Sequence, residues 1–357
     1  MRLVVATQVV DADDPHLGQT LDILGALAVR CERVTVVCDR VARHDLPTNV
    51  SFRPFGARGK LGRMLRFERA LLASGRPDAF LAHMVPRFLV LAAPLYRLRR
   101  VPLLLWYTHW NASRELRLAT LLCDAALSVR RESFPLPTPK VRGIGHGIDL
   151  ARFEPRPASP EPGPALRVLA LGRTEPRKRF DVLLDAVEVG AGRGLELRVE
   201  LRGPQITAAE ARHRRELEAR IAASPLLSER VTVADAVPRE GVPALIRAAD
   251  VVVSVTSGDT SGGALDKVVY EAAACAVPVV ASNPNFADLL GGLSPGLLFT
   301  PGDVEALLGA LGGVAALSAD GRATLGRELR RRVEQGHSAD TWAEAVLSLV
   351  SESKRGR

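Results

Sequence analysis

The residues best suited to chemistry fall in a few short stretches of the 357-residue chain. The richest, residues 251–282, reads VVVSVTSGDTSGGALDKVVYEAAACAVPVVAS. Its first five residues have the β-branched composition of a strand buried on both faces, and residues 257–263 carry too much Gly, Ser and Thr to continue it. From Ala264 the pattern turns helical, with an expected close at Ala276 and a second buried strand over 277–281. The first N–H groups of such a helix lack intrahelical partners and carry the positive end of its dipole, which matches a diphosphate. Glu271 is expected about two turns in, where its carboxylate can accept two hydrogen bonds from a ribose diol.

A second stretch, Gly172-Arg173-Thr174-Glu175-Pro176-Arg177-Lys178-Arg179-Phe180-Asp181, sets four cations within seven residues between a strand-like run and an apolar helix. Cations held there stabilise charge growing on a departing diphosphate more than they stabilise its ground state. Three further positions follow strand-like runs: His109 in LLLWYTHWN, Gly203 in the Leu201-Arg202-Gly203-Pro204 turn, and Val237 at the end of VADAV. A histidine at a strand's carboxyl end is well placed to meet a ligand, and the backbone of Ala236 or Val237 could contact a base.

Elements that alternate between strand and helix must position these residues. Strand-like runs at 3–6, 34–37, 79–82, 103–106 and 125–129 alternate with helical stretches in the first half, and runs at 167–171, 196–201, 231–233, 251–255 and 277–281 do so in the second. Parallel sheets with helices on both faces are expected for each half. Between them EPRPASPEPGPA, residues 154–165, holds five prolines, which excludes a helix or an interior strand and reads as a linker. The expected division is 1–153 as an N-terminal Rossmann-like domain and 166–338 as a nucleotide-binding domain, with 339–357 a terminal helix and basic tail.

Charge is uneven. Residues 1–160 hold 24 Lys and Arg against 14 Asp and Glu, a net of +10, whereas the remainder holds 24 against 26. That asymmetry concerns partners and not fold. In RGKLGRMLRFER, residues 58–69, Lys60, Arg63, Arg66 and Arg69 recur near helical spacing, with Leu61, Met64, Leu65 and Leu72 as a candidate apolar face. Together with Arg97, Arg99 and Arg100 the pattern leaves two readings open, an anionic membrane surface or a solvated basic helix. Nucleic acid fits worse, with three Tyr, three Trp and no recognition motif. Cys31, Cys38, Cys123 and Cys275 show no metal-binding spacing and read as reduced, buried thiols of a cytoplasmic protein. The first ten residues read as a strand and not as a signal peptide, and no run approaches the ~20 apolar residues that span a bilayer.

Taken together, these stretches resemble the nucleotide-sugar signature of retaining GT-B glycosyltransferases of family 4, also called group 1. In that family a helix start E-G-F-G leads to E-A-M-A-x-G-x-P-V-V, and here the second half stands as EAAACAVPVV from Glu271 to Val280. The family's earlier glutamate falls on Gly263, inside Ser261-Gly262-Gly263-Ala264-Leu265-Asp266-Lys267. The resemblance therefore offers Asp266 and Lys267 to the donor sugar, and the backbone of Gly262, Gly263, Ala264 and Leu265 to phosphate or sugar. It matches the family's G-R-L-x-x-x-K-G-x-D loop at Arg173 and Lys178, its nucleotide-side glycine turn at Gly203, and its active-site histidine at His109. Gly18 is what remains of the family's Gly-Gly loop, and Arg142 to Asp149, RGIGHGID, resembles its N-G-V-D turn.

What the resemblance implies is an α/β protein of GT-B fold, with two Rossmann-like doubly wound domains facing a central cleft and the last helix crossing back to the first domain. The implied reaction moves a sugar with retention from a UDP- or GDP-sugar to an acceptor hydroxyl on a glycan, a lipid-linked molecule or a small molecule. It needs no metal and no cofactor, so Asp11 and Asp13 read as a solvated loop and not as a metal-binding D-x-D. The alternative is a non-catalytic nucleotide-sugar-binding paralogue or accessory subunit. A related epimerase is disfavoured by the same motifs, and an NAD enzyme by the lack of G-x-G-x-x-G after either first strand.

Overall fold

The computed structural model describes residues 1–14, 17–158, 161, 163–256 and 265–355, and these divide into two compact units. The first comprises Met1–Asp149 and the C-terminal stretch that begins at Gly336, and the second runs from Leu150 to Gln335.

In the first unit the chain forms β1 (Arg2–Val10), α1 (Thr20–Arg30), β2 (Arg33–Val41), β3 (Val50–Pro54), α2 (Lys60–Ala73), β4 (Ala79–His83), α3 (Pro86–Leu98), β5 (Leu103–Trp106), α4 (Arg114–Leu122), β6 (Ala125–Ser128) and β7 (Val141–Gly143). All seven strands are parallel, in the order β3-β2-β1-β4-β5-β6-β7. Short strands without polar alternation, such as AFLAH and LLLW, are buried along their whole length, as a sheet covered on both faces requires. The order reverses between β1 and β4, which makes their carboxyl ends the switch point of this sheet.

The second unit holds β8 (Leu166–Leu171), α5 (Phe180–Ala191), β9 (Leu197–Arg202), α6 (Ala208–Ala223), α7 (Pro225–Arg230), β10 (Val231–Ala234), α8 (Val242–Ala248), β11 (Val251–Ser254), α9 (Lys267–Ala274), β12 (Val279–Ala281), α10 (Ala287–Leu290), α11 (Val304–Ala315) and α12 (Ala319–Gly336). Its strands are parallel in the order β10-β9-β8-β11-β12, with the switch point between β8 and β11. At the opposite end of this sheet Asp250, just before β11, accepts from Arg167 Nε and a terminal guanidinium nitrogen, both at 3.0 Å, and lies 3.4 Å from the buried Arg322.

The last helix, α13 (Ala339–Arg355), packs on α1. Arg30 pairs with Asp340 at 2.7 Å and Glu344 at 3.0 Å, and the Trp342 ring meets Trp106 edge-on at 5.4 Å. Gly145 makes the chain's return possible. It has φ +78°, and a β-carbon there would stand 1.9 Å from the Gly336 carbonyl oxygen.

Two local expectations are corrected, both in α9. Helix α9 starts at Lys267, not Ala264, because Asp266 is still extended at ψ 117°, so Glu271 is one turn in and not two. It ends at Ala274, before Ala276 turns left-handed at φ +55°. In α2 the buried side chains are Phe67, Ala70 and Leu71, while Leu61, Met64, Leu65 and Leu72 stand exposed. No single helix among the described residues is long and apolar enough to cross a membrane.

Candidate active site

In the second unit every strand points the same way, so the loops after β8, β9, β10 and β11 emerge at one end of the sheet. The first two are locked together. Gly172 N donates to Arg202 O at 3.0 Å, and Gly203 lies so close that a β-carbon on it would stand 1.8 Å from the Gly172 carbonyl oxygen. Gly203 is thus a requirement of backbone packing. After Gly172 the chain makes a short turn over Pro176–Lys178, and Arg179 in the left-handed region (φ 44°) starts α5. The Lys178 stem lies against Gly172, its Cε 3.2 Å from where a β-carbon would be.

Lys178 then reaches across the switch point. Its Nζ donates to Asp266 Oδ1 at 2.5 Å, while Ser254 Oγ, the last residue of β11, donates to Asp266 Oδ2 at 2.6 Å. Both members of the ion pair are largely shielded from solvent. Burial pushes the Asp266 carboxyl up, but the Lys178 ammonium and the two hydrogen bonds outweigh it and hold the group below the ordinary aspartate value. Asp266 stays ionised at neutral pH.

The four cations of this loop are not open to solvent chemistry in the way their crowding suggests. Arg173 pairs with the buried Glu210 at 3.2 Å and with Glu175 at 3.3 Å. Arg177 pairs with Glu175 at 3.1 Å, and Arg179 with Asp181 at 2.9 Å. With Lys178 on Asp266, four cations face four carboxylates.

One turn into α9, Glu271 lies 3.4 Å from Lys267, both side chains mostly buried. Lys267 and Glu271 are four residues apart and share a helix face. Leu265 is buried, and Val237 is partly buried just beyond β10, against Gly241. Gly262, Gly263 and Ala264 lie outside the described residues. The structure thus gathers Arg173, Lys178, Gly203 and Asp266 at the β8–β9–β11 end, with Val237 on the next strand's loop and Lys267 and Glu271 on α9.

In the first unit His109 follows β5 and is exposed, its ring stacked on Trp110 at 5.3 Å and its Nδ1 accepting from Asn111 N at 3.2 Å. Gly18 is buried in the turn before α1, where its N donates to Asp14 O at 3.0 Å. Asp11 pairs with Arg40 at 3.0 Å and Asp13 with Arg43 at 2.6 Å. Among the described residues no three His, Cys, Asp or Glu side chains gather where they could hold a metal ion.

Sequence reasoning passed over His83. It ends β4 at the switch point, 4% exposed, with Nδ1 3.1 Å from Thr7 Oγ1 on β1. Burial lowers its pKa to about 4, so it is neutral. The signal available was its place as the final residue of an apolar strand run. The four cysteines are all buried, and burial pushes Cys38 and Cys275 up to about 12, which leaves their thiols protonated and unreactive at neutral pH.

The loop after β8, the α9 segment and the strands between them fall inside residues 165–316, which match the family described as Glycosyl transferases group 1. The second unit carries a glycosyl transferases group 1 domain. WcaL of Escherichia coli strain K12, named as a colanic acid biosynthesis glycosyltransferase, is 25% identical over 224 residues, 62% of this chain and 53% of WcaL. The chain therefore spans about half the length of that curated relative.

Solved structures of similar fold include Anabaena HepE in complex with UDP and glucose, with a TM-score of 0.75 at 19% identity over 98% of this chain and 99% of that one. Sucrose-phosphate synthase from Thermosynechococcus elongatus superposes with a TM-score of 0.72 at 19% identity over the whole of both chains. A glycosyltransferase from Rickettsia africae gives 0.77 at 12% identity, over 100% and 99%. The fold is the α/β, two-sheet GT-B fold of these enzymes.

Proposed function

We propose that this glycosyl transferases group 1 protein is a retaining, metal-independent glycosyltransferase that uses a UDP- or GDP-sugar and needs no cofactor. The observation that carries the reading is Lys178. It comes from the first loop of the matched domain and lies at the switch point of a parallel sheet, where an open α/β fold binds its ligand. In this reading Arg173 and Lys178 hold the donor diphosphate, and the ammonium neutralises charge on the leaving group as the glycosidic bond breaks. Glu271 receives the ribose hydroxyls. The backbone of Gly203 and of Gly262 to Leu265 lies along phosphate and sugar, with Asp266 and Lys267 the nearest side chains and Val237 beside the base. His109 is assigned to the donor sugar and Gly18 to the diphosphate.

The leaving phosphate oxygen then takes the acceptor's proton in a front-side displacement, so no dedicated carboxylate base is required. HepE was crystallised with UDP and glucose, which favours uridine as the first base to try. The acceptor is a glycan, a lipid-linked molecule or a small molecule. The exposed Leu61, Leu65 and Leu72 among the arginines of α2 support a protein that rests peripherally on an anionic membrane on its cytoplasmic side.

A second reading, a nucleotide-sugar-binding protein without transfer, draws on the matched charges of the 173–179 loop and on Gly263. Purified protein screened against UDP- and GDP-sugars by thermal shift and by slow donor hydrolysis separates the two. Stabilisation with hydrolysis of one donor is the expected result, and stabilisation without turnover, acceptors included, favours the second reading.

A further inference from the structure

We propose that Asp266 is a built-in stand-in for the donor diphosphate, occupying Lys178 until the donor displaces it. The inference rests on the nucleotide-sugar reading of this site and adds a regulating residue to it. An Asp directly before a helix ordinarily turns its carboxylate onto the first amides of that helix. Asp266 stands at that position of α9 and makes no such cap. Its carboxylate points the other way, one oxygen on Lys178 Nζ and the other on Ser254 Oγ. That arrangement offers an anionic oxygen the donors a phosphate oxygen would use, in a loop whose other three cations already face Glu175, Glu210 and Asp181.

The carboxylate therefore has two sets of partners within its own reach. In the closed set it holds Lys178 and Ser254. When a diphosphate takes the Lys178 ammonium, Asp266 is released to cap α9, a rotation about one side chain that leaves no buried charge unpaired. No bond is made or broken, and the net charge of the site changes only by that of the ligand. Part of the diphosphate's binding energy is spent on displacing an internal anion, so the donor is held less tightly than Lys178 alone would hold it.

The test is isothermal titration of UDP, GDP, uridine and guanosine into the full chain and its Asp266→Asn and Ser254→Ala variants. Asparagine keeps a hydrogen-bond acceptor for Lys178 and removes the charge. Asp266→Asn is expected to bind the preferred nucleoside diphosphate about tenfold tighter, equivalent to about 1.4 kcal/mol, with nucleoside affinity unchanged. Ser254→Ala, which frees one carboxylate oxygen, shifts affinity the same way by two- to threefold. Wild-type binding of a diphosphate with equal or weaker binding in both variants overturns the stand-in role and leaves the nucleotide-sugar reading intact. A gain for nucleosides as large as that for diphosphates also overturns it. If neither wild type nor Asp266→Asn binds UDP or GDP, both the reading and the stand-in fall.

Discussion

Thr7 and His83 are hydrogen-bonded at 3.1 Å where the first sheet reverses its strand order, and the imidazole is held neutral by burial. Its folded pKa of about 4 lies below the ordinary histidine value of 6.5, so between those values the unfolded chain binds the extra proton. Stability contributed by the neutral ring is full above pH 6.5 and lost as pH falls toward 4, by about 3 kcal/mol in total. Denaturant melts of wild type and His83→Asn at pH 7 and pH 4.5 check this. The drop should shrink in the variant, and an equal drop in both proteins would exclude His83 as its source.

Asp250 gives a slope of the same sign at lower pH. Burial raises its carboxyl, but the hydrogen bonds and charge of Arg167 and the charge of Arg322 outweigh this and leave it lowered. Its contribution is present above the unfolded value of 3.8 and lost as pH falls through the folded value. Replacing it by Asn leaves the buried Arg322 without its carboxylate and is expected to cost about 3 to 5 kcal/mol. A change under 1 kcal/mol in urea unfolding would contradict that assignment.

Gly203→Ala places a methyl 1.8 Å from a backbone oxygen that belongs to the neighbouring loop. Expected are a loss of about 1 to 3 kcal/mol and weaker nucleotide binding, since the 172–178 loop must shift. Gly192→Ala, at φ −65° with no contact under 3.6 Å, is the control and should leave both readouts in place.

Lys178→Ala should lower donor hydrolysis or transfer by two to three orders of magnitude, the scale found when one charge-stabilising donor is removed from an active site. Folding, followed by circular dichroism, should be retained. Unchanged turnover would remove Lys178 from the mechanism.

For the first unit, vesicles containing anionic lipid should co-sediment with wild type at low salt and release it at high salt. Leu61→Ser with Leu65→Ser on α2 should weaken this without altering the melting temperature, because both side chains are already exposed. Equal binding by the double variant would place the contact elsewhere.

Much of the fold was legible because parallel strands covered on both faces are written as continuous apolar runs. Residues 79–82, 103–106 and 251–255 are all buried strand or its continuation. Two of the four carboxylates that answer the 173–179 cations were not legible. Glu210 lies 37 residues from Arg173, and Asp266 lies 88 from Lys178, so their meeting is a product of topology. Charge counting along the chain sees the cations first because three of them are consecutive. In α2 the spacing marked Leu61, Met64, Leu65 and Leu72 as one face, which stands exposed, but gave no sign of the buried stripe carrying Phe67, Ala70 and Leu71. His83 escaped because a single titratable residue at a strand end has no local pattern.

The route of the chain sets an order of assembly. The described residues of the second unit all lie between Leu150 and Gln335, whereas the first unit also needs the residues from Gly336 onward. On the ribosome the later-encoded unit is therefore complete while the earlier one still lacks α13, with the fully buried Trp342, Val346 and Val350. The surface of α1 that receives this helix stays open until α13 has been made, which reverses the usual N-to-C sequence of domain folding.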